Sequence, residues 1–268
     1  MAFDLTDQGV SISAALKIRK NVIGALILRD MRTRFGRSHL GYLIAIAWPL
    51  THLITIVTIM SLANRLVPIG TEPAVFVSSG VLPYILCLYP ARTMGLAIEM
   101  NRSLFLFPAV RPIDVILARG IIEFLTAAFI VIIFFLGALA IGVNILPSNY
   151  NVWISAVSVT ICLSVAMGLI NTIIGSIFKF WHILFLVLMF IMYSSSGAFI
   201  LPSSLPKATQ EIMWYNPLFH CVEWIRSSYF EGYGDDTISR SYLIYIAVTL
   251  LAVGLLGERF ARGKLLTQ

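Results

Sequence analysis

Six apolar runs dominate the chain, at residues 41–63, 75–98, 115–142, 152–177, 183–200 and 241–258, with shorter polar stretches between them. A helix that crosses a membrane needs about 20 mostly apolar residues, because the hydrocarbon layer is ~30 Å thick and each helical residue rises ~1.5 Å. Each run therefore predicts a transmembrane helix, the fifth of them short and the third long enough to tilt or kink. Pro49, Pro83 and Pro90 fall inside the first two runs. Each removes a backbone donor that neighbouring helices or water must replace.

Outside the runs the periodicity changes. Ile23, Ile27 and Met31 fall on one helical stripe with Arg29 and Arg32 opposite, which predicts an amphipathic helix along the membrane surface. Lys20 and Arg34 approach the edges of that stripe, where long basic side chains can snorkel. Residues 201–240 interleave Trp214, Tyr215, Phe219, Trp224, Tyr229 and Phe230 with polar positions. That pattern suits interfacial or re-entrant helices, divided at Pro217. The connection "EMNRSLFLFPAVRPIDV" (99–115) has an apolar centre, Leu104 to Phe107, between charges and two prolines. Apolar side chains on such a loop need cover, and a partner protein is the simplest cover.

Composition narrows the solvent. Of 268 residues, 59% are hydrophobic and 12% charged, with mean hydropathy +0.89. A soluble domain carries about 25% charged residues, so half that share cannot clothe a water-facing surface. The net charge of +6 is best read by position. With six spans, fourteen Lys and Arg fall on the side of the termini and four (Arg65, Lys207, Arg226, Arg240) on the other, with Arg92 inside a span. Basic excess marks the cytoplasmic side, so both termini are expected there. A nucleic-acid arm would need no apolar stripe, and none is expected. The first 20 residues have no apolar core or small-residue cleavage site, so the first run is expected to stay as an anchor.

The sequence thus predicts an all-α integral membrane fold. It has six transmembrane helices, cytoplasmic N- and C-termini, an N-terminal amphipathic interface helix, and re-entrant or interfacial helices before the last span. Its parts are a cytoplasmic segment 1–38, a transmembrane domain 39–260 and a cytoplasmic tail 261–268.

Catalytic chemistry is sparse. The stretch "GERFARGKLL" (257–266) has the wrong glycine spacing for a phosphate loop, lacks the Ser or Thr after the lysine, and ends a span instead of following a strand. Cys87, Cys162 and Cys221 have no CxxC spacing, and His39, His52, His182 and His220 are scattered, so no metal and no catalytic residue is assigned. Charges near the membrane are the remaining suspects, at ~2.5 kcal/mol or more each in hydrocarbon. Arg119 and Glu123 are spaced to pair on one helix face as a structural interface. Arg92, about two turns inside the second run, either faces a water-filled cavity or reaches Glu99 through water. No internal repeat stands out, which weighs against a secondary transporter built from inverted halves.

Five segments carry a resemblance. They are "RTRFGRSHLGYLIAIAWPL" (32–50), "SSGVLPY" (78–84), "NRSLFLFPAVRPIDV" (101–115), "SSSGAFILPSSLP" (194–206) and "NPLFHCVEWIRSSYFEGY" (216–233). Together the chain resembles the membrane subunit of ABC-2-type exporters, and more narrowly the permeases for capsular polysaccharide, polysialic-acid-type chains or O-antigen. The resemblance covers about residues 20 to 260.

It implies a homodimer in the bacterial inner membrane, bound to two ATP-binding subunits that hold ATP and Mg; this chain itself carries no cofactor. It implies ATPase docking through Arg29, Arg32, Arg34, Phe35, Leu104, Phe105, Phe107, Arg111 and Lys179. Trp48, Tyr84, Tyr89, Arg92 and Tyr193 are candidates for the translocation path of a lipid-linked polysaccharide, since sugar rings present apolar faces to aromatic platforms. Trp214, Tyr215, Phe219 and Trp224 are candidates for an external gate. A periplasmic co-polymerase and an outer-membrane export protein are further partners that the resemblance admits. An ABC-2 exporter of O-antigen, teichoic acid, a drug or a peptide stays open as an alternative. So does a secondary transporter.

Overall fold

The computed structural model describes residues 11–35, 39–62, 72–234 and 237–267. Ten α-helices order them: α1 (Ile12–Phe35), α2 (His39–Leu62), α3 (Pro73–Gly95), α4 (Ala97–Met100), α5 (Pro112–Ala140), α6 (Tyr150–Ile177), α7 (Trp181–Ser194), α8 (Lys207–Trp214), α9 (Pro217–Ser227) and α10 (Arg240–Thr267). Among the described residues there is no strand. Among the described residues, four helices, α3, α5, α6 and α10, are long and apolar enough to cross a membrane. The apolar helix Trp181–Ser194 is shorter.

Local chemistry sets several helix starts. Pro73, Pro112 and Pro217 stand in the first turns of α3, α5 and α9, where a missing N–H costs nothing. The Asn149 side chain accepts from the Val152 N–H at 3.2 Å to cap α6, and Asn216 accepts from the Leu218 N–H at 2.9 Å to cap α9. At α5 the Asp114 carboxylate accepts from the Arg111 N–H at 3.0 Å. The break expected at Pro217 is therefore real, and α8 and α9 are its two pieces.

Helix α3 is the axis of the molecule, buried along most of its length and flanked by α2, α5, α6 and α9. Pro83 and Pro90 each delete a donor inside it. The facing helix α6 brings donors of its own: Ser164 Oγ to the Cys87 carbonyl (3.1 Å), Asn171 Nδ2 to that of Ala91 (3.0 Å) and Thr172 Oγ1 to that of Met94 (2.8 Å). Such bonds satisfy backbone groups where water is scarce. Gly95 lies directly against the Asn171 side chain, which leaves no room for a Cβ. The helix ends there, three residues before the predicted 98. Arg92 consequently sits in its last turn and not two turns inside, a position its charge favours at the negative end of the helix dipole.

Three further boundaries differ from the sequence pattern. Helix α7 stops at Ser194, six residues before the predicted 200, where a turn reaches Gly197 at φ 75°. Its 14 residues span about 21 Å, less than the ~30 Å hydrocarbon layer. Helix α10 runs on to Thr267, so the predicted tail is helical as far as described; Arg262 grips Glu258 one turn back at 3.0 and 3.2 Å. Finally, α1 docks on α5. Its inward stripe is Val22, Leu26 and Asp30, flanked by Ile23 and Ile27, while Met31 is exposed. The stripe is rotated by about one residue from the predicted one because packing on α5, not a flat membrane surface, selects the face.

Candidate functional site

The path candidates converge. Trp48 and Pro49 of α2, Tyr89, Arg92 and Thr93 of α3, and Glu123 and Thr126 of α5 line an open cavity of about 220 Å³. Trp48 is 74% exposed beside it. From Tyr89 the aromatic series continues along α3. Tyr84 meets Tyr89 edge-on at 6.4 Å, stacks on Tyr193 of α7 at 3.7 Å, and stacks on His52 of α2 at 5.8 Å. Phe199, past the end of α7, meets Tyr193 edge-on at 4.9 Å. The Tyr193 hydroxyl and His52 Nε2 are buried without a hydrogen-bond partner among the described residues. Two rings 3.7 Å apart are already in van der Waals contact, so nothing passes between Tyr84 and Tyr193 in this conformation.

The docking candidates divide. Arg32 and Lys179 are exposed. Leu104 and Phe105 are half-buried and pack against the cluster around Leu26, Met94 and Ile116, whereas Leu106 is 83% and Phe107 61% exposed. Phe178 and Phe180 flank Lys179 and are exposed as well. Beside the loop and the α6–α7 connection, His182 Nε2 of α7 approaches Glu99 Oε1 of α4 at 3.4 Å. Arg29, expected to face outward, is turned inward: its guanidinium donates to Asp30 Oδ1 at 2.9 Å and to Asn101 Oδ1. Arg111 is half-buried, with its N–H committed to Asp114. The side chains of Arg34 and Phe35 lie outside the described residues.

Among the gate candidates, Phe219 and Trp224 are buried, and Trp214 and Tyr215 lie at the surface. Trp214 packs on Tyr242 of α10 at 4.6 Å, and the Tyr242 hydroxyl donates to the Tyr215 carbonyl at 2.7 Å. Trp224 lies 5.7 Å from the Arg240 guanidinium. The four residues are thus split between core packing and the α8–α10 contact.

Two charged groups escape the sequence reading. The first is Arg226, fully buried in α9. It donates to the Gly197 carbonyl (3.1 Å), the Ala198 carbonyl (3.3 Å) and Glu223 Oε1 (2.8 Å), and lies 4.0 Å over the Phe76 ring. The Tyr233 hydroxyl donates to the other Glu223 oxygen at 2.6 Å. Burial pushes the Glu223 carboxyl above its ordinary value, against the pull of Arg226 and Tyr233. The guanidinium thereby serves backbone carbonyls in the turn where α7 ends short. The available signal was the i, i+3 spacing of Glu223 and Arg226. The second is Asp30 of α1, which accepts from Arg119 of α5 at 3.1 Å. The expected partner, Glu123, stands farther from Arg119, at 3.9 Å.

The profile of the ABC-2 type transporter family matches residues 21–230. The chain belongs to that family. It is 32% identical to the polysialic acid transport protein KpsM of Escherichia coli over 256 residues, covering 95% of this chain and 98% of that protein. It is 29% identical to the capsule polysaccharide export inner-membrane protein CtrC of Neisseria meningitidis serogroup B, over 93% of this chain and 94% of that protein. With the capsule polysaccharide export inner-membrane protein BexB of Haemophilus influenzae the identity is 26%, over the same shares. The ABC-2 match spans α3, with its aromatic series, the 101–111 loop and α9 with Arg226.

Proposed function

We propose that this chain is the membrane subunit of an ATP-driven exporter that moves capsular polysaccharide across the bacterial inner membrane. The observation that carries the reading is similarity along almost the whole chain to inner-membrane proteins named for capsule export. The gathering of Trp48, Tyr84, Tyr89, Arg92 and Tyr193 along one seam of α2, α3 and α7 supports it, because a polymer of sugars needs aromatic faces and polar edges in series.

In this reading α2 and α7 are the first and fifth of six spans, and both termini lie in the cytoplasm. The subunit pairs with a second copy and with two ATP-binding subunits, which supply ATP and Mg. The 101–111 loop and the α6–α7 connection form the docking surface, with Leu106, Phe107, Phe178, Lys179 and Phe180 presented outward. Docking there moves α1, the loop and α5 together, since Arg19 bridges α1 to Asp114 at 2.6 Å and to the Ala109 carbonyl at 2.9 Å. Opening the path requires Tyr84 and Tyr193 to part.

The test is a chromosomal deletion of the gene in its host. The expected outcome is polymer retained inside the cytoplasm and missing from the surface, with export restored by a plasmid copy. Normal surface polymer in the deletion strain overturns the reading.

A further inference from the structure

Where α1 packs on α5, the charged side chains Asp30, Arg119 and Glu123 are all buried. Arg119 stands between the two acids, which belong to different helices. Its Nη1 donates to Asp30 Oδ2 of α1 at 3.1 Å. Its Nε, buried and without a hydrogen-bond partner among the described residues, lies 3.9 Å from Glu123 Oε1 of its own helix. That second approach is just beyond hydrogen-bond length. A pair built for stability alone has no reason to leave a buried donor unused, because an orphaned donor is costly.

Exchange of Arg119 between the acids leaves neither of them far from a cation. Asp30 keeps Arg29 on its other oxygen, at 2.9 Å, and Glu123 shares its cavity with Arg92. The geometry also supplies a lever. Arg19 clamps α1 to Asp114 at 2.6 Å and to the Ala109 carbonyl at 2.9 Å. Asp30 lies about 16 Å farther along the helix, so a tilt of a few degrees about Arg19 displaces it by about an ångström. At one end of the network is Asn101, at the head of the Arg102–Leu106 turn, whose Oδ1 accepts from Arg29. At the other end Glu123 lines the cavity together with Trp48 and Pro49 of α2. Packed interfaces of this kind take up discrete arrangements and do not deform continuously.

We propose that Arg119 is a two-position switch between α1 and α5. With the ATP-binding subunits apart it bonds Asp30 and ties α1 to α5. Their closure pushes the 101–111 loop and Arg29, tilts α1 about Arg19 and hands Arg119 to Glu123. The far end of α1, and the first span that follows it, then part from α5. The proposal rests on the export function above and names the positioning residue that links its driving and moving parts.

The experiment uses the complete complex with its ATP-binding subunits in lipid nanodiscs, and surface polymer in cells carrying the same variants. Linkage is reciprocal: an arrangement that closure favours must itself favour closure. Asp30→Asn removes the resting partner and should raise ATP hydrolysis in the absence of polymer. Glu123→Gln removes the alternative partner and should lower it. Each change is expected to reach up to about tenfold, the shift that one charge-assisted hydrogen bond provides. Surface polymer should fall in both. Arg119→Lys keeps the charge but not the fork that reaches both acids. It should assemble normally by size-exclusion chromatography and still lose export. A merely structural pair would shift hydrolysis in the same direction in both carboxamide variants, and lysine would preserve export. Either result overturns the proposal, as does unchanged hydrolysis in both Asp30→Asn and Glu123→Gln. The permease reading is decided separately, by polymer export in the deletion strain.

Discussion

At the scale of single residues, the strongest structural commitment is Arg226. Its guanidinium is fully buried, yet it serves two backbone carbonyls and one carboxylate. Arg226→Leu leaves Glu223 buried without its cation and strips both carbonyls of a donor. Breaking a buried pair from one side costs about 3–5 kcal/mol, so the purified variant should unfold at markedly lower denaturant in an equilibrium detergent titration. Arg226→Lys should lose less of that stability. Arg226 was counted in the sequence only as one of the few basic residues beyond the cytoplasmic side. The i, i+3 spacing marks Glu223, but nothing local marks the two carbonyl acceptors that lie nearly thirty positions earlier, in the turn after α7. Gly80 belongs to the same seam: a Cβ there would stand 2.5 Å from the Ala198 carbonyl oxygen, so the α3 backbone and that turn touch directly.

At the scale of elements, the loop between α4 and α5 is two surfaces and not one. The apolar centre Leu104 to Phe107 reads as uniformly exposed, but the short 3₁₀ turn at Arg102–Leu106 turns Leu104 and Phe105 onto the chain's own core. Leu106 and Phe107 remain for a partner. The double change Leu106→Asp with Phe107→Asp should sharply reduce co-purification of the ATP-binding subunit while membrane insertion and thermal stability stay near wild type. Undiminished co-purification removes this loop from the docking surface. Phe105→Asp, by contrast, buries a charge in the cluster around Met94 and should impair folding itself. Helix α1 shows the same split. Its amphipathic nature was legible from Ile23 and Ile27, but its inward face is centred on Leu26 and Asp30, because only α5 carries the Arg119 that Asp30 needs.

At the scale of the whole molecule, the proposed orientation has a direct check. The native cysteines are buried or half-buried and can be replaced by Ser. In that background, Ser103→Cys should react with a membrane-impermeant maleimide only after the cells are opened. Ala208→Cys should react in spheroplasts that are still sealed; both positions are exposed. The reverse pattern overturns cytoplasmic termini. Periodicity, proline placement and the distribution of Lys and Arg gave the helices, most of their starts and the expected topology from the sequence alone. Those signals are written by each segment's own solvent and backbone needs, so they survive without knowledge of neighbours. Only the tertiary structure decided that Arg119 and Arg226 face carboxylates of the chain while Arg92 lines a cavity. That distinction depends on helices distant in sequence meeting at particular faces. A pattern of period 3.6 says which face is apolar, but not what stands opposite it.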